Sequence, residues 1–495
     1  MKRFSYNING LLSLLKLLLM VLIPIICITA CTEADNMPKP NIIIMLADDL
    51  GYGDVSVNGS VTIHTPNIDR LANGGIRFIN GYATSATSAS SRYGLLTGIY
   101  PWKNKLTNNL FENQSLLIEE SQYTLPKMLQ DAGYTTATVG KWHLGMGNGN
   151  TNWNETVKPG AKEVGFDYSH LIAVNNDLTP TVYVENGNVI GLNPNDPIEV
   201  SYKNELTIAQ SYTVHNGIPR KGLQKGGESA LWADEAMAEY FLQVATDFIA
   251  ENTDRPFFLL YGLHQPGVPR VPNKRFTGLS GMGPRGDAIL EADWCVGELM
   301  KVLDKLHLLE NTVIIFTSDN GPVLNDGYDD QAVELLGKHK PAGELRGGKY
   351  SLYDAGTRVP FFTYWKGVIK PDVSKALVSQ LDIMASIATL IKQPLSGSFD
   401  SQNVLSALLG KSKKGRNDLV LEATGKMALR CGDWVYMPAY DGPVRNSSGN
   451  ELGNLPEGGL FDLKHDPGQI RNLAFVEKTR LEKMKLRFQE IINDQ

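Results

Sequence analysis

The chain has 495 residues, 42% of them hydrophobic and 20% charged, and a formal net charge of −6. A sequence of this length and composition can bury a large core and is not a disordered segment. The acidic balance, with no long basic tract and no interleaving of basic and aromatic residues, excludes nucleic acid as a partner.

The N-terminus reads as an export signal. Lys2 and Arg3 precede an apolar stretch from Leu17 to Ile28, and Ile28-Thr29-Ala30-Cys31 looks like a bacterial lipobox in which Cys31 is lipidated and becomes the first mature residue. The rival reading is a transmembrane anchor, but Lys16 cuts the apolar run to roughly a dozen residues, short of the ~20 that span a bilayer. Residues 1–31 are therefore assigned to a lipoprotein signal peptide. The expected product is an exported bacterial lipoprotein, held to a membrane through the lipid on Cys31 and facing the periplasm or the cell surface. Cys27 leaves with the signal, and Cys295 and Cys431 lie far apart and are expected as unpaired buried thiols.

Past the signal, strand-like and helix-like runs alternate. Asn41 to Leu46 is an apolar run of strand length, followed after Ala47 by Asp48-Asp49-Leu50-Gly51-Tyr52-Gly53-Asp54. Ser88-Ala89-Ser90-Ser91-Arg92 leads into Tyr93-Gly94-Leu95-Leu96-Thr97-Gly98, and Ser90 to Thr97 is expected to start a helix whose N-terminal N–H groups favour an anion. The β-prone run Tyr134 to Val139 precedes Gly140-Lys141-Trp142-His143-Leu144-Gly145. Alternate residues of an extended segment share a face, so Lys141 and His143 are expected to point the same way.

Asn148 to Glu228 is a long polar insertion, the expected place for ligand-contacting loops. Phe257 to Leu263 is another strand-like run, ending at His264-Gln265-Pro266. Arg285 to Leu309 carries Ile289, Leu290, Val296, Leu299, Val302, Leu303 and Leu306 at helical spacing, a packing stripe without chemistry. Thr312 to Phe316 leads to Thr317-Ser318-Asp319-Asn320-Gly321, and Arg346-Gly347-Gly348-Lys349 precedes Asp354-Ala355-Gly356-Thr357-Arg358.

Two buried-type strands thus each deliver oxygen-bearing side chains at their carboxyl ends, where open α/β sheets bind ligands. Asp48, Asp49, Asp319 and Asn320 form an all-oxygen set suited to Ca²⁺ or Mg²⁺ rather than Zn²⁺. Taken singly, each cluster has a plain reading. The Ser/Thr-rich residues 84–91 would cap a helix, a histidine after a strand would be a hydrogen-bonded structural residue, and a lysine on a Gly-rich loop would be solvated.

Their order changes that. The succession D-D-x-G-Y-G-D, S-x-x-x-R, G-K-W-H-L-G, H-x-P, S-D-N-G and G-G-K resembles the formylglycine-dependent type I sulfatases of the alkaline-phosphatase-like superfamily over nearly the whole mature chain. The resemblance implies hydrolysis of a sulfate ester by an aldehyde hydrate made from Ser88. It also implies that Asp48, Asp49, Asp319 and Asn320 hold a divalent ion, usually Ca²⁺, and that Arg92 steadies the formylglycine. Lys141 and Lys349 would bind sulfate oxygens, His143 would assist the hydrate and His264 would protonate the leaving alcohol. Such a reaction calls for a cation, fixed positive side chains and a proton donor, and these residue types supply them.

A formylglycine-generating maturase of the radical-SAM type is then an implied partner, and a sulfated carbohydrate the implied substrate. Ser90 stands where Pro or Ala is usual in the family, and Ser88 is either native or a replacement for cysteine. The segment Leu336 to Pro341 and the pair Trp102-Lys103 are candidates for sugar contacts or are solvated loops.

The fold implied is α/β: a large mixed, mostly parallel sheet sandwiched by helices, over a catalytic domain at 38–410. Residues 411–495 contain short strand-like runs and a terminal helical segment, resembling the small antiparallel-sheet C-terminal subdomain of sulfatases. Two rival functions stand beside the sulfatase reading. One is a phosphoester or phosphonate hydrolase of the same superfamily; the other is a non-catalytic glycan-binding lipoprotein.

Overall fold

A strand of seven residues, Asn41–Ala47, runs through the middle of the protein with every residue buried. In this computed structural model, which describes residues 39–104, 115–202 and 212–493, it pairs in parallel with Phe257–Gly262 on one side and Thr312–Ser318 on the other. Near-continuous apolar strands of this kind are stable only when both faces of the sheet are covered. The sheet has ten strands in the order 372–374, 76–78, 361–364, 312–318, 41–47, 257–262, 135–140, 168–172, 183–185, 188–189. Its centre is parallel; antiparallel pairing enters with Phe361–Tyr364 on one side and Tyr183–Glu185 on the other.

The central strand divides its side chains between two cores, as the two-residue period of a strand requires. Ile42, Ile44 and Leu46 pack in one core with Leu95, Leu96, Met128, Leu129 and Ile387, from the helices Ser88–Thr97, Leu125–Asp131 and Ile383–Leu390. Ile43 and Met45 pack in the other with Phe241, Leu242, Val296 and Leu299, from the helices Met237–Glu251 and Gly283–Lys305. The stripe on the last helix is core as expected, with Ile289, Val296, Leu299 and Leu303 fully buried.

Register fixes where the strands stop. Ala47 lies opposite Ser318, Leu46 opposite Gly262, and Gly262 opposite Gly140. Four neighbouring parallel strands therefore end level with one another, and the residues that follow them emerge at a common edge.

A second sheet lies toward the C-terminus. Asp418–Ala423, Lys426–Cys431, Trp434–Met437 and Gly459–Asp462 form an antiparallel four-strand meander, followed by the helix Lys478–Asn493. Its core includes Leu419, Leu421, Leu429 and Phe461 together with Tyr82, Ala86 and Tyr100, so it is packed against the segment leading to Ser88. Cys295 is buried and Cys431 only half-buried, and both are free thiols; the expectation of two buried thiols holds for the first alone. Among the described residues no helix is long and apolar enough to cross a membrane. The export signal, Cys27 and Cys31 lie outside the described residues.

The turn after the central strand is pinned by a buried carboxylate. Asp54 accepts hydrogen bonds from Arg285 at 2.9 and 2.6 Å, from His339 at 2.8 Å and from the Gly51 amide at 2.7 Å. His339, a candidate for sugar contact by sequence, is thus a buried structural partner. Trp102 stacks on Tyr100, and Lys103 pairs with Asp400. Burial by itself would raise the Asp54 carboxyl, but Arg285 and the His339 hydrogen bond outweigh it and hold it below the usual carboxylate range.

Replacing Asp54 with Asn leaves a buried guanidinium without its counter-charge, a loss of about 3–5 kcal/mol in urea unfolding at neutral pH. Because the folded value is depressed, the contribution of Asp54 is present above the unfolded value of about 3.9 and fades as pH falls below it. The stability gap between wild type and Asp54→Asn should therefore narrow in acid.

Candidate active site

Ser88 is the first residue of the helix Ser88–Thr97, preceded by Thr87 in extended conformation. The helix begins two residues earlier than the sequence suggests. Two side chains fix it against the sheet. Ser91 donates to Gln380, whose amide donates in turn to the Ser318 carbonyl at 2.6 Å. Arg92 binds Asp319 through two nitrogens, at 3.0 and 2.8 Å, and the Lys141 carbonyl at 2.8 Å. Arg92 thereby ties the helix to the ends of two strands.

The Ser88 hydroxyl consequently sits at the common strand edge, 3.0 Å from Asn320 Oδ1 and 3.4 Å from Asp48 Oδ1. Asp48, Asp49 and Asp319 are all buried, with one carboxylate oxygen from each lying within 4.8 Å of the others. Asn320 donates to Asp49 at 2.7 Å. Lys141 pairs with Asp48 at 2.6 Å, and Lys349 bridges Asp49 and Asp326 at 3.0 and 2.9 Å. Nine of the ten residues singled out by sequence thus meet in direct contact or line one cavity of about 350 Å³.

The tenth, His264, is buried beside that group, and Val268 rather than the imidazole itself reaches the cavity wall. His143 does line the cavity beside Lys141, but for a different reason from the one expected. The strand ends at Gly140, and His143 adopts a left-handed backbone with φ 53°, so a bend and not an extended run brings the pair together.

Burial sets the electrostatics. It raises Asp48 and Asp49 above the ordinary carboxylate range despite their lysine partners. It pushes His264 down to about 3, with Lys141 adding to the effect. His143 is driven well below its ordinary value by burial and then by Lys141, Arg92 and Lys349, and its Nδ1 is buried without a partner. Lys349 goes the other way, because Asp326 and Asp49 outweigh the cost of its burial.

The donor set fits a divalent cation. Three clustered carboxylates and an amide oxygen suit a hard ion such as Ca²⁺ or Mg²⁺, whose charge keeps buried acids ionised. Backbone shape protects the cluster: a Cβ at Gly267 would lie 1.7 Å from Asp48 Oδ2, and one at Gly140, where φ is +100°, would lie 2.1 Å from the Gly262 carbonyl.

Seven wall residues escaped the sequence reading as individuals: Asn175, Asp177, Lys221, Val268, Asp326, Tyr350 and Thr424. The first three belong to the polar insertion already marked for ligand contact. Thr424 lies in the tight turn between Asp418–Ala423 and Lys426–Cys431, so the small sheet contributes to the wall. Nothing in its local sequence distinguishes it from any other hairpin tip.

Residues 40–392 match the sulfatase family model. The chain is 46% identical to the N-acetylgalactosamine-6-O-sulfatase of Bacteroides thetaiotaomicron over 485 residues, covering 92% of this chain and 95% of the relative. Human arylsulfatase A is 31% identical, over 88% of this chain and 83% of its own. A solved Bacteroides thetaiotaomicron structure from work on the metabolism of multiple glycosaminoglycans superposes with a TM-score of 0.89 at 45% identity, covering 92% of this chain and 99% of that one. The chain belongs to the sulfatase family and is a sulfuric ester hydrolase.

Gly267→Ala tests the carboxylate cluster without touching a charged group. The added methyl should displace Asp48 and cost about 10–100-fold in calcium affinity, a loss typical of disturbed ligand support. The measurement is the rise in melting temperature on adding calcium chloride, which tracks the ratio of free ion to Kd.

Proposed function

We propose that the protein removes a sulfate ester from a carbohydrate, most specifically the 6-O-sulfate of N-acetylgalactosamine, through a formylglycine derived from Ser88. The observation that carries this reading is the position of the Ser88 hydroxyl, within 3.4 Å of both Asp48 and Asn320 at the edge of the buried acid cluster. The sugar is taken from the N-acetylgalactosamine-6-O-sulfatase relative, which is matched over nearly its whole length. Asp48, Asp49, Asp319 and Asn320 would hold Ca²⁺, which when bound supplies positive charge to a sulfate oxygen and to the nucleophile. The formylglycine hydrate supplies two hydroxyls on one carbon, one to attack sulfur and one to expel sulfate. An unmodified serine has only one and would stall after a single transfer.

The chain's own groups account for the remaining demands. Lys141 and Lys349 bring ammonium groups to the cavity and bind sulfate oxygens, while Arg92 holds Asp319 and the helix start in place. His143, neutral and with a free ring nitrogen, takes a proton from the hydrate. His264 is neutral in the free protein; an anionic ester offsets the field of Lys141 and raises its proton affinity, so that it can protonate the leaving oxygen.

Charge matching favours sulfate over phosphate. Asp48, Asp49, Asp319 and Asp326 outnumber Arg92, Lys141 and Lys349 by one. A divalent ion leaves one net positive charge, which matches a sulfate monoester anion and not a phosphate monoester dianion.

The biological setting follows the same reading: an exported lipoprotein, anchored through Cys31, acting on glycans outside the cytoplasm after conversion by a radical-SAM maturase. Co-expression with an anaerobic radical-SAM maturase should leave the Ser88 peptide lighter by two hydrogens in mass spectrometry. Sulfate release from N-acetylgalactosamine 6-sulfate should follow that conversion, and full turnover by protein with an intact serine would refute the scheme. His264→Gln should lower kcat on the sugar ester by about 10²–10⁴-fold, the range for losing a general acid, and much less on 4-nitrophenyl sulfate, whose leaving group needs no proton.

A further inference from the structure

The wall formed by the insertion has its own chemistry. Asn175 Nδ2 donates to Asp177 Oδ1 at 2.7 Å, and a carboxylate can only accept, so the amide orientation is fixed. That leaves Asn175 Oδ1 buried with no hydrogen-bond partner, on a residue that is itself 8% exposed and lines the cavity. Asp177 is 7% exposed, and its Oδ2 lies 3.3 Å from Lys221 Nζ. A carboxylate with one contact to each oxygen has lone pairs to spare.

This wall is built rigidly. The Lys221 amide donates to the Asp177 carbonyl at 2.9 Å, and the Thr179 amide to the Lys221 carbonyl at 3.0 Å. Between Asn175 and Asp177, the Asn176 carbonyl accepts from Arg220 Nε at 2.9 Å. Arg220 is fully buried, paired with Asp234 and stacked over Trp232. Its neighbour Lys221 in the strand Ile218–Lys221 faces the cavity instead.

A buried acceptor left unsatisfied costs about 1–3 kcal/mol, which a ligand recovers only by bringing a donor. Aryl and steryl sulfates carry no donor on the ring next to the ester, whereas a sulfated sugar carries several. We propose that Asn175 and Asp177, braced by Arg220 and Lys221, form a subsite that accepts hydrogen bonds from the ring hydroxyl or amide donors of the sulfated sugar and so selects sugar sulfates over donor-free sulfate esters. This rests on the sulfated-carbohydrate reading of the same cavity.

Binding to protein with Ser88 unconverted, in calcium chloride, tests the subsite apart from catalysis. Isothermal titration with N-acetylgalactosamine 6-sulfate and with 4-nitrophenyl sulfate should show the sugar preferred by about tenfold or more in the wild type. Asn175→Ala and Asp177→Asn should each reduce that preference by about tenfold. An unchanged preference in both variants overturns the proposal, as does a wild type that binds the sugar no better than the phenyl ester.

A second arm needs no substitution. The 2-deoxy (lacking the acetamido group), 3-deoxy and 4-deoxy sugars should bind the wild type more weakly, at least one of them by about tenfold, and undiminished affinity for all three overturns the proposal. Absence of sulfate release from formylglycine-bearing protein would instead refute the catalytic reading, and these titrations remain readable in that case.

Discussion

Burying three carboxylates at one point is what the rest of the molecule must accommodate. In a low-dielectric interior an unpaired acid is unstable by several kcal/mol, and Asp48, Asp49 and Asp319 lie together. Arg92 from a helix, Lys141 from a strand end and Lys349 from a distant loop each reach one of them. The neutralising groups come from segments 93 to 300 residues away from the acids they pair with, so the cluster cross-links the fold as well as serving the cavity. Burial still raises Asp48 and Asp49, which is the condition in which a divalent cation gains most from binding.

The division of labour follows from rigidity. Apart from Lys349 on its loop, the residues of the cluster stand just past the ends of buried strands or on the first turns of a buried helix, where packing on both faces of the sheet prevents drift. The outer wall comes from elsewhere, from the polar insertion and from the hairpin tip of the small sheet. Loops of that kind can change without disturbing the sheet, so a common centre can serve different esters. Arg220 and its partners give this part of the wall a stiffness that a polar insertion would otherwise lack.

Much of this was legible in the sequence, and for identifiable reasons. Apolar runs such as Asn41 to Leu46 and Thr312 to Phe316 declare buried strands, and the acids that follow them declare a metal-type edge, because the signal is local. The order of short motifs placed Ser88, Lys141, His143, His264 and Lys349 in one family pattern. Sequence pattern failed where tertiary contact decides. His339 on a polar loop became the buried partner of Asp54, and Thr424 in an ordinary turn became cavity wall.

The sequence by itself determined which strands are buried and which acidic, basic and imidazole side chains follow them, since residue type and hydrophobic period need no knowledge of distant neighbours. Only the tertiary structure decided the common level at which four strands end, the left-handed bend that turns His143 beside Lys141, and the meeting of Asn175, Asp177 and Lys221. Those depend on register and on contacts between residues tens to hundreds of positions apart, and no local pattern encodes them.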